Sequence, residues 1–223
     1  MVYSYFRDDP DGGIVRELIA CALREVADEV CRDHVRTISQ EAQITSRIGQ
    51  ALETRLRGSN FNGYTIEVVT QDIPDRGRGA LERRLGGDIY VGIRVMHGSS
   101  TALSKGFLAQ AKRGPHLSSS ERNELVRQSL RLLFRSPSSY VWVYTERGVR
   151  VVNAEDVVRR QSRNLVDGRR LDEIFSETLS CLEGDIHIGL PPGSDVRSSV
   201  GIMLERLRTQ TAIGIAIASG SDR

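Results

Sequence analysis

The sequence predicts an α/β fold, in which a central mixed β-sheet is flanked by helices and extended by helical additions at both ends. Three observations lead to this prediction. Two amphipathic segments of helical period come first, apolar segments of strand period follow, and a helix with a capping signature separates the third strand from the next two. Strands followed by a crossover helix and a further strand are typical of a mixed sheet covered by helices.

The two N-terminal segments have the spacing of amphipathic helices. Between residues 13 and 37, apolar residues recur every four positions with charges between them. A second helix is predicted from Ser39 or Gln40 to Leu56, where Gly58 marks its end. The apolar stripe of this second helix comprises Ile44, Ile48, Ala51, Leu52 and Leu56.

Three strands are predicted next, over residues 64–69, 88–95 and 106–112. The first two alternate and are rich in β-branched residues, whereas the third begins as an apolar run and ends in Gln110-Ala111-Lys112. Alternation in the second strand places Ile89, Val91, Ile93 and Val95 on one face and Asp88, Tyr90 and Arg94 on the other.

The second half of the chain mixes helices and strands. Ser118 followed by Glu121 is a capping-box signature and predicts a helix to about Phe134. Strands are then predicted over residues 140–145 and 149–152, and helices over 154–161, 171–182 and 196–207. The apolar run 212–218 is too short to cross a bilayer, so it is either a buried strand or a packed C-terminal tail.

These elements predict three regions. They are an N-terminal helical extension over residues 1–37, an α/β core over 38–165, and a mostly helical extension over 166–223 that packs on the core. The three cysteines lack paired metal-ligand spacing, and no secretory signal is recognisable at the N-terminus. We therefore expect a cytoplasmic protein with free thiols and no membrane partner.

Charge is unevenly distributed, although the formal net charge is only +2. Four arginines lie within residues 76–84, and seven arginines outnumber four acids over residues 146–170. A solvated surface and contact with the backbone of DNA both account for such runs. Affinity for DNA would depend on where these arginines lie rather than on their sum.

The third strand carries the residues that point to chemistry. Period two places Gln110 and Lys112 on the same face. If Asp88 on the neighbouring strand shares that face, its carboxylate and the Gln110 amide oxygen provide two hard oxygen ligands of the kind that Mg²⁺ prefers. The Lys112 cation could then orient an attacking water or stabilise charge on a phosphate.

A helical wheel of the second helix selects a further acid. At about 100° per residue from Ile44, Glu41 falls near 60°, inside the apolar stripe, and Glu53 falls near 180°, on the opposite side. A carboxylate within a buried stripe is costly without a partner, which a metal ion or Lys112 would provide. Glu41 is therefore the predicted additional ligand, and Glu53 is predicted to be solvated.

Three segments of the chain, taken in order, resemble the motifs of a known superfamily. They are Glu41-Ala42-Gln43-Ile44-Thr45, then Gly86-Gly87-Asp88-Ile89-Tyr90-Val91 preceded by Glu82, then Leu108-Ala109-Gln110-Ala111-Lys112-Arg113. Together they resemble the restriction-endonuclease-like PD-(D/E)xK nucleases, in particular the variants with glutamine in place of the second acid, such as Mrr-type restriction enzymes. The resemblance covers roughly residues 38–152.

The resemblance implies a restriction-endonuclease-like core that cleaves DNA hydrolytically with Mg²⁺, for which Mn²⁺ can substitute. It assigns Glu41, Asp88, Gln110 and Lys112 to catalysis and the first three of these to the metal. Prokaryotic defence or DNA repair is the implied setting, with a second copy or a partner protein of a defence system as further partners. Two departures are Gly87 in place of the proline before Asp88, and the neutral Gln110, which removes a negative charge from the metal site.

Other interpretations remain open from the sequence. A nuclease-fold module that binds DNA or a protein without cutting is the main alternative, and an effector that cuts only after a ligand or partner assembles it is a third. Lys112 could be an exposed charge at a strand end, and Asp88 a turn residue after two glycines. Glu82 is better explained as a solvated ion pair with neighbouring arginines than as a ligand.

Overall fold

The computed structural model describes residues 12–38, 40–73, 87–98, 100–114, 117–159 and 164–219. Its helices are α1 (Gly12–His34), α2 (Glu41–Leu56), α3 (Ser119–Leu133), α4 (Ala154–Val158), α5 (Leu171–Leu179) and α6 (Val196–Leu207). Its strands are β1 (Asn60–Phe61), β2 (Tyr64–Asp72), β3 (Ile89–His97), β4 (Ser100–Arg113), β5 (Ser139–Thr145), β6 (Gly148–Asn153), β7 (Arg169–Arg170) and β8 (Thr211–Ser219). The predicted Glu82 and the arginines at 76–84 lie outside the described residues.

The eight described strands form one open mixed sheet in the order β1-β2-β8-β3-β4-β5-β6-β7. The pairs β3–β8 and β4–β5 are parallel, and the other neighbours are antiparallel. Helices pack on both sides of this sheet. The predicted fold class, a central mixed sheet flanked by helices, is confirmed.

The sheet has two differently covered faces. On what we call the first face, α1, α2 and α5 pack on the strands and bury Phe107 and Trp142, among others. On the second face, α6 covers Tyr90 and Leu108, while α3 and α4 cover Val141 and other residues of β5 and β6. Side chains of β4 therefore alternate between two buried layers, as the period of a strand requires.

The C-terminal segment differs from the expected extension. Residues 166–223 do contribute α5 and α6, but β8 lies in the middle of the sheet, antiparallel to β2 and parallel to β3. Ile213 and Ile215 of this strand are buried on the first face, and Ala212 and Ala216 on the second. A continuous apolar run is typical of a strand covered on both faces, so the buried-strand interpretation of residues 212–218 is correct.

The N-terminal helix also belongs to the main core. Val15, Ile19 and Leu23 of α1 are buried in the cluster that contains the first-face strand residues. The Asp28 carboxylate accepts a 2.8 Å hydrogen bond from the Val149 amide, which ties α1 to β6. Among the described helices, none combines the length and apolar character needed to cross a membrane.

Replacing Ile215 with Ala should destabilise the fold, because this side chain is 1% exposed in the central strand β8. We expect the free energy of unfolding to fall by about 2–5 kcal/mol, the usual cost of such a truncation in a core. Urea denaturation followed by circular dichroism measures this change. Ile202→Ala, at a side chain that is 49% exposed on α6, is the matched control and should change it by less than about 0.5 kcal/mol. Equal effects of the two substitutions would contradict the central position of β8.

Candidate active site

The predicted site residues meet at one end of the sheet, where β3 begins, β4 ends and α2 begins. Antiparallel pairing aligns Ile89 with Ala109, so that Asp88 stands opposite Gln110. The Asp88 amide donates to the Ala109 carbonyl at 3.2 Å, and its carbonyl accepts from the Thr211 amide at 2.9 Å. The backbone of Asp88 is thus held by the strands on both sides of β3.

Gly87 explains why no proline precedes Asp88. Its φ of 84° lies in the left-handed region, which the proline ring cannot adopt. A Cβ at this position would also come within 2.5 Å of the Leu132 side chain on α3. The turn before Asp88 therefore requires glycine and excludes proline.

The Asp88 carboxylate is bound directly by the end of β4. Its Oδ2 accepts a 2.9 Å hydrogen bond from the Ala111 amide and a short hydrogen bond from the Gln110 side-chain Nε2. In the described part of the chain, no donor is found on Oδ1. The carboxylate is therefore fixed at Oδ2 by the end of β4, and it is not a loosely held turn residue.

The Gln110 amide points differently from the sequence-based expectation. The prediction placed its oxygen beside the Asp88 carboxylate as a second ligand, whereas its nitrogen faces that carboxylate here. Two acceptor oxygens repel each other unless a cation or a proton lies between them, so donation by the amide nitrogen is favoured. Gln110 and Asp88 are therefore in contact, as predicted. The terminal amide of Gln110 is rotated by about 180° from the predicted orientation, so that its nitrogen rather than its oxygen faces Asp88.

Lys112 and Glu41 lie within electrostatic reach of Asp88. Burial raises the pKa of the Asp88 carboxyl to about 6, the bond from Ala111 and the Lys112 charge lower it, and the Glu41 charge raises it. Asp88, Lys112 and Glu41 are each only partly exposed. Lys112 and Glu41 are therefore close enough to Asp88 for their charges to act on its carboxyl, and Gln110 contacts it directly.

Glu41 is positioned by the first turn of α2. The Thr45 hydroxyl donates to the Glu41 carbonyl at 3.0 Å and lies 2.7 Å from the hydroxyl of the fully buried Tyr144 on β5. This contact fixes the start of the helix against the end of the sheet. Glu53, predicted to be solvated, instead accepts from the Thr70 amide at 2.8 Å and from Arg197 at 2.8 Å.

Sequence reasoning missed two neighbours of the site. Burial raises the pKa of the Tyr144 hydroxyl, and the charges of Asp88 and Glu41 contribute to that rise, although strand alternation alone indicated only packing. Hydrogen bonds from Ser118 lower the pKa of Glu121, and the nearby Lys112 charge lowers it further. The capping box was recognisable, but nothing in the sequence indicated that α3 begins beside Lys112.

Two openings flank this region. The first, of about 960 Å³, is polar and lies along the outer face of α2 and the ends of β2 and β8, with Gln40, Gln43, Ser46, Arg47, Gln50 and Asp72 in its lining. The second, of about 640 Å³, lies at the ends of β4 and β5 and is bordered by four arginines. We call it the arginine cavity. The candidate site therefore lies between two clefts of different chemistry.

Within the described residues, no group of three or more His, Cys, Asp or Glu side chains is arranged to hold a metal ion. Any ion at this site would depend on Asp88, Glu41 and the neutral amide of Gln110.

Comparisons with protein families, curated proteins and solved structures find no match to this chain.

The Asp88 pKa links this site to folding stability. An ordinary aspartate releases its proton near pH 3.8, whereas the folded chain retains the Asp88 proton to about pH 6. Between these values the folded state binds more protons than the unfolded state. The contribution of Asp88 to the free energy of unfolding therefore decreases as the pH rises through this window.

Charge variants should move the Asp88 pKa in opposite directions. Carbon-detected NMR titration should place the wild-type value near 6, with Lys112→Ala raising it and Glu41→Gln lowering it, because each removes a charge close to the carboxylate. Asp195 is an internal control, since hydrogen bonds from Ser198 lower its pKa below the usual range. An Asp88 pKa unchanged in both variants would show that the three side chains do not share one site.

Proposed function

We propose that this chain is a metal-dependent deoxyribonuclease that hydrolyses phosphodiester bonds in DNA. The observation that supports the proposal is the joining of Asp88 to Gln110, with Lys112 and Glu41 beside them, at one open end of the sheet. Carboxylate and amide oxygens with a lysine on the same strand face suit the hydrolysis of a phosphate ester.

The donor chemistry fits Mg²⁺. Asp88 and Glu41 offer carboxylates, and a half rotation of the terminal amide of Gln110 offers a third oxygen, all hard ligands. Mg²⁺ usually retains several waters, so a small set of protein ligands is sufficient, and Mn²⁺ is expected to substitute. When bound, such an ion would stabilise charge on the phosphate and lower the pKa of a bound water.

The charges of the site make a cation necessary. Two carboxylates close together repel a phosphodiester, and the single positive charge of Lys112 does not offset both of them. The mutual repulsion is already visible in the Asp88 pKa, which the Glu41 charge raises. DNA binding at this point is therefore expected to depend on a divalent ion, and Asp88 must be ionised to hold one.

Lys112 has two tasks in this proposal. Strand alternation places Lys112 on the second face of the sheet with Gln110, and its positive charge acts on the Asp88 carboxyl. A positive charge there stabilises the negative charge that develops on the phosphate oxygens during attack. It also favours the hydroxide form of a water held next to it. The proton of that water leaves to solvent or to a neighbouring carboxylate.

One observation favours a second candidate function, a nuclease-fold module that binds DNA or a protein without cutting. The Gln110 amide already satisfies the Asp88 carboxylate through its nitrogen, so the pair needs no metal ion to offset the buried charge. Because Gln110 is neutral, the site has one negative charge fewer than it would have with a second acid at this position. Metal binding would then be weak and cleavage absent.

Removing either central side chain should abolish cleavage. With supercoiled plasmid and Mg²⁺ or Mn²⁺, we expect Asp88→Ala and Lys112→Ala to lose on the order of 100-fold or more in rate, as for loss of a group that stabilises transition-state charge. Asp156→Ala and Arg131→Ala, both at exposed positions, are the matched controls and should cleave like wild type. Equal cleavage by wild type and both site variants would rule out this assignment.

Gln110→Glu separates the two candidate functions. A second acid strengthens the attraction for a divalent ion, so an active nuclease should reach half-maximal rate at a lower Mg²⁺ concentration. If the wild type is the non-cutting module, the same substitution should be the one that introduces cleavage. Titration of Mg²⁺ in the plasmid assay measures both results. A variant that binds no more Mg²⁺ than wild type would show that Gln110 does not face the ion.

A further inference from the structure

The arginine cavity has the size of a small-molecule site. Its volume of about 640 Å³ falls in the range of known ligand pockets. The lining comes from the end of α1, the ends of β4 and β5, the turn before β6, and the 3-10 turn at Leu165–Asp167. It includes Val35, Arg36, Arg113, Glu146, Arg147, Arg150, Val166 and Asp167.

The charge of this lining is not balanced internally. Two of its ionic groups neutralise each other, since Arg36 binds Glu146 through two hydrogen bonds of 2.7 and 2.5 Å. Arg113, Arg147 and Arg150 form no ion pair within the described part of the chain, and Asp167 is the one further acid of the lining. Three guanidinium groups around one cavity favour an anion, and guanidinium geometry suits a phosphate.

The rest of the arginine-rich segment is already engaged. Arg159 pairs with Glu155, Arg169 with Glu173 and Glu177, and Arg170 with Asp172. Each of these arginines already has an acidic partner and is a poorer candidate for contact with DNA. Of the described arginines in this segment, Arg147 and Arg150 are the two that remain available to a ligand.

The arginine cavity adjoins the candidate active site. Lys112 pairs with Val143 in the parallel β4–β5 register, and Val143 pairs with Arg150 in the antiparallel β5–β6 register. Lys112 and Arg150 therefore stand on the same face two strands apart, at a backbone separation of about 10 Å. Arg113 follows Lys112 directly. A strand with one phosphate at Lys112 could place a neighbouring nucleotide in this cavity.

The apolar side chains of the lining indicate that the ligand carries an apolar group in addition to a phosphate. Val35 is buried and Val166 is partly exposed, and both border the same space as the arginines. Aliphatic side chains and the flat faces of guanidinium groups accept the face of an unstacked base. A phosphate, which is entirely polar, would leave the apolar surface unused.

We propose that the arginine cavity binds one nucleotide, with its phosphate on Arg113, Arg147 and Arg150 and its base against Val35 and Val166. The nucleotide is either a residue of a DNA strand, an option that rests on the proposed function, or a free nucleotide. Both sources present the same pairing of phosphate and base, and the experiment separates them.

Binding is measured in Ca²⁺, which takes the same hard oxygen ligands as Mg²⁺ at longer distances and with which no cleavage is expected. The probes are a labelled single-stranded oligonucleotide and, separately, dAMP. We expect the double substitution Arg147→Ala and Arg150→Ala to weaken binding about tenfold or more. For the oligonucleotide, the slope of log K against log salt concentration should also decrease by up to about 0.7, the value for one phosphate contact on a single strand. Arg131→Ala, an exposed arginine near the far end of α3, is the control and should bind like wild type.

Val166→Trp tests the cavity without changing its charge. The larger side chain fills the space assigned to the base, so binding should weaken about tenfold while the salt slope stays near the wild-type value. Circular dichroism of each variant identifies any loss of folding. Because Val166 is partly exposed, this substitution provides a second test if the arginine variant is unstable.

The results show whether the arginine cavity binds a nucleotide and whether that nucleotide is free or part of a strand. Binding of dAMP that is lost in the arginine and Val166 variants assigns a free nucleotide, and binding of the oligonucleotide alone with the same losses assigns a strand. Failure of wild type to bind either probe, or equal binding by wild type and both variants, overturns the inference. Nucleotide binding that persists in a chain without nuclease activity would reject the proposed function and leave this inference standing.

Discussion

The last strand of the chain, β8, is the constraint on which the rest of the structure depends. It separates β2 from β3, pairs with both, and buries apolar side chains on both faces of the sheet. Its first residue, Thr211, donates to the carbonyl of Asp88 and so fixes the point at which β3 begins. The position of the candidate site therefore depends on residues more than a hundred positions further along the chain.

The candidate site is an electrostatic compromise. Burying Asp88 penalises its charged form, and the Glu41 charge adds to that penalty. The Ala111 amide, Lys112 and the Gln110 side chain act in the opposite direction. The Asp88 carboxyl therefore has a pKa of about 6, a perturbed value of the kind that is frequent at functional sites.

The two clefts beside the candidate site differ in the chemistry of their linings. The cleft beside α2 offers amide and hydroxyl groups, while the arginine cavity beside β5 offers positive charge and aliphatic surface. Within the described residues of the basic segment, Arg159, Arg169 and Arg170 are paired with acids, whereas Arg147 and Arg150 border the arginine cavity. Local arrangement, rather than net charge, governs what this end of the sheet attracts.

Strand and helix periods by themselves determined the fold class and the shared face of Gln110 and Lys112, because periodicity is a property of neighbouring residues. They did not reveal that Glu53 accepts hydrogen bonds from the Thr70 amide and Arg197. Tertiary structure alone decided that the C-terminal run is a central strand, that the Gln110 amide presents its nitrogen to Asp88, and which arginines remain unpaired. Strand order, amide orientation and ion pairing each depend on competition among partners that are distant in sequence. No local pattern records the outcome of that competition.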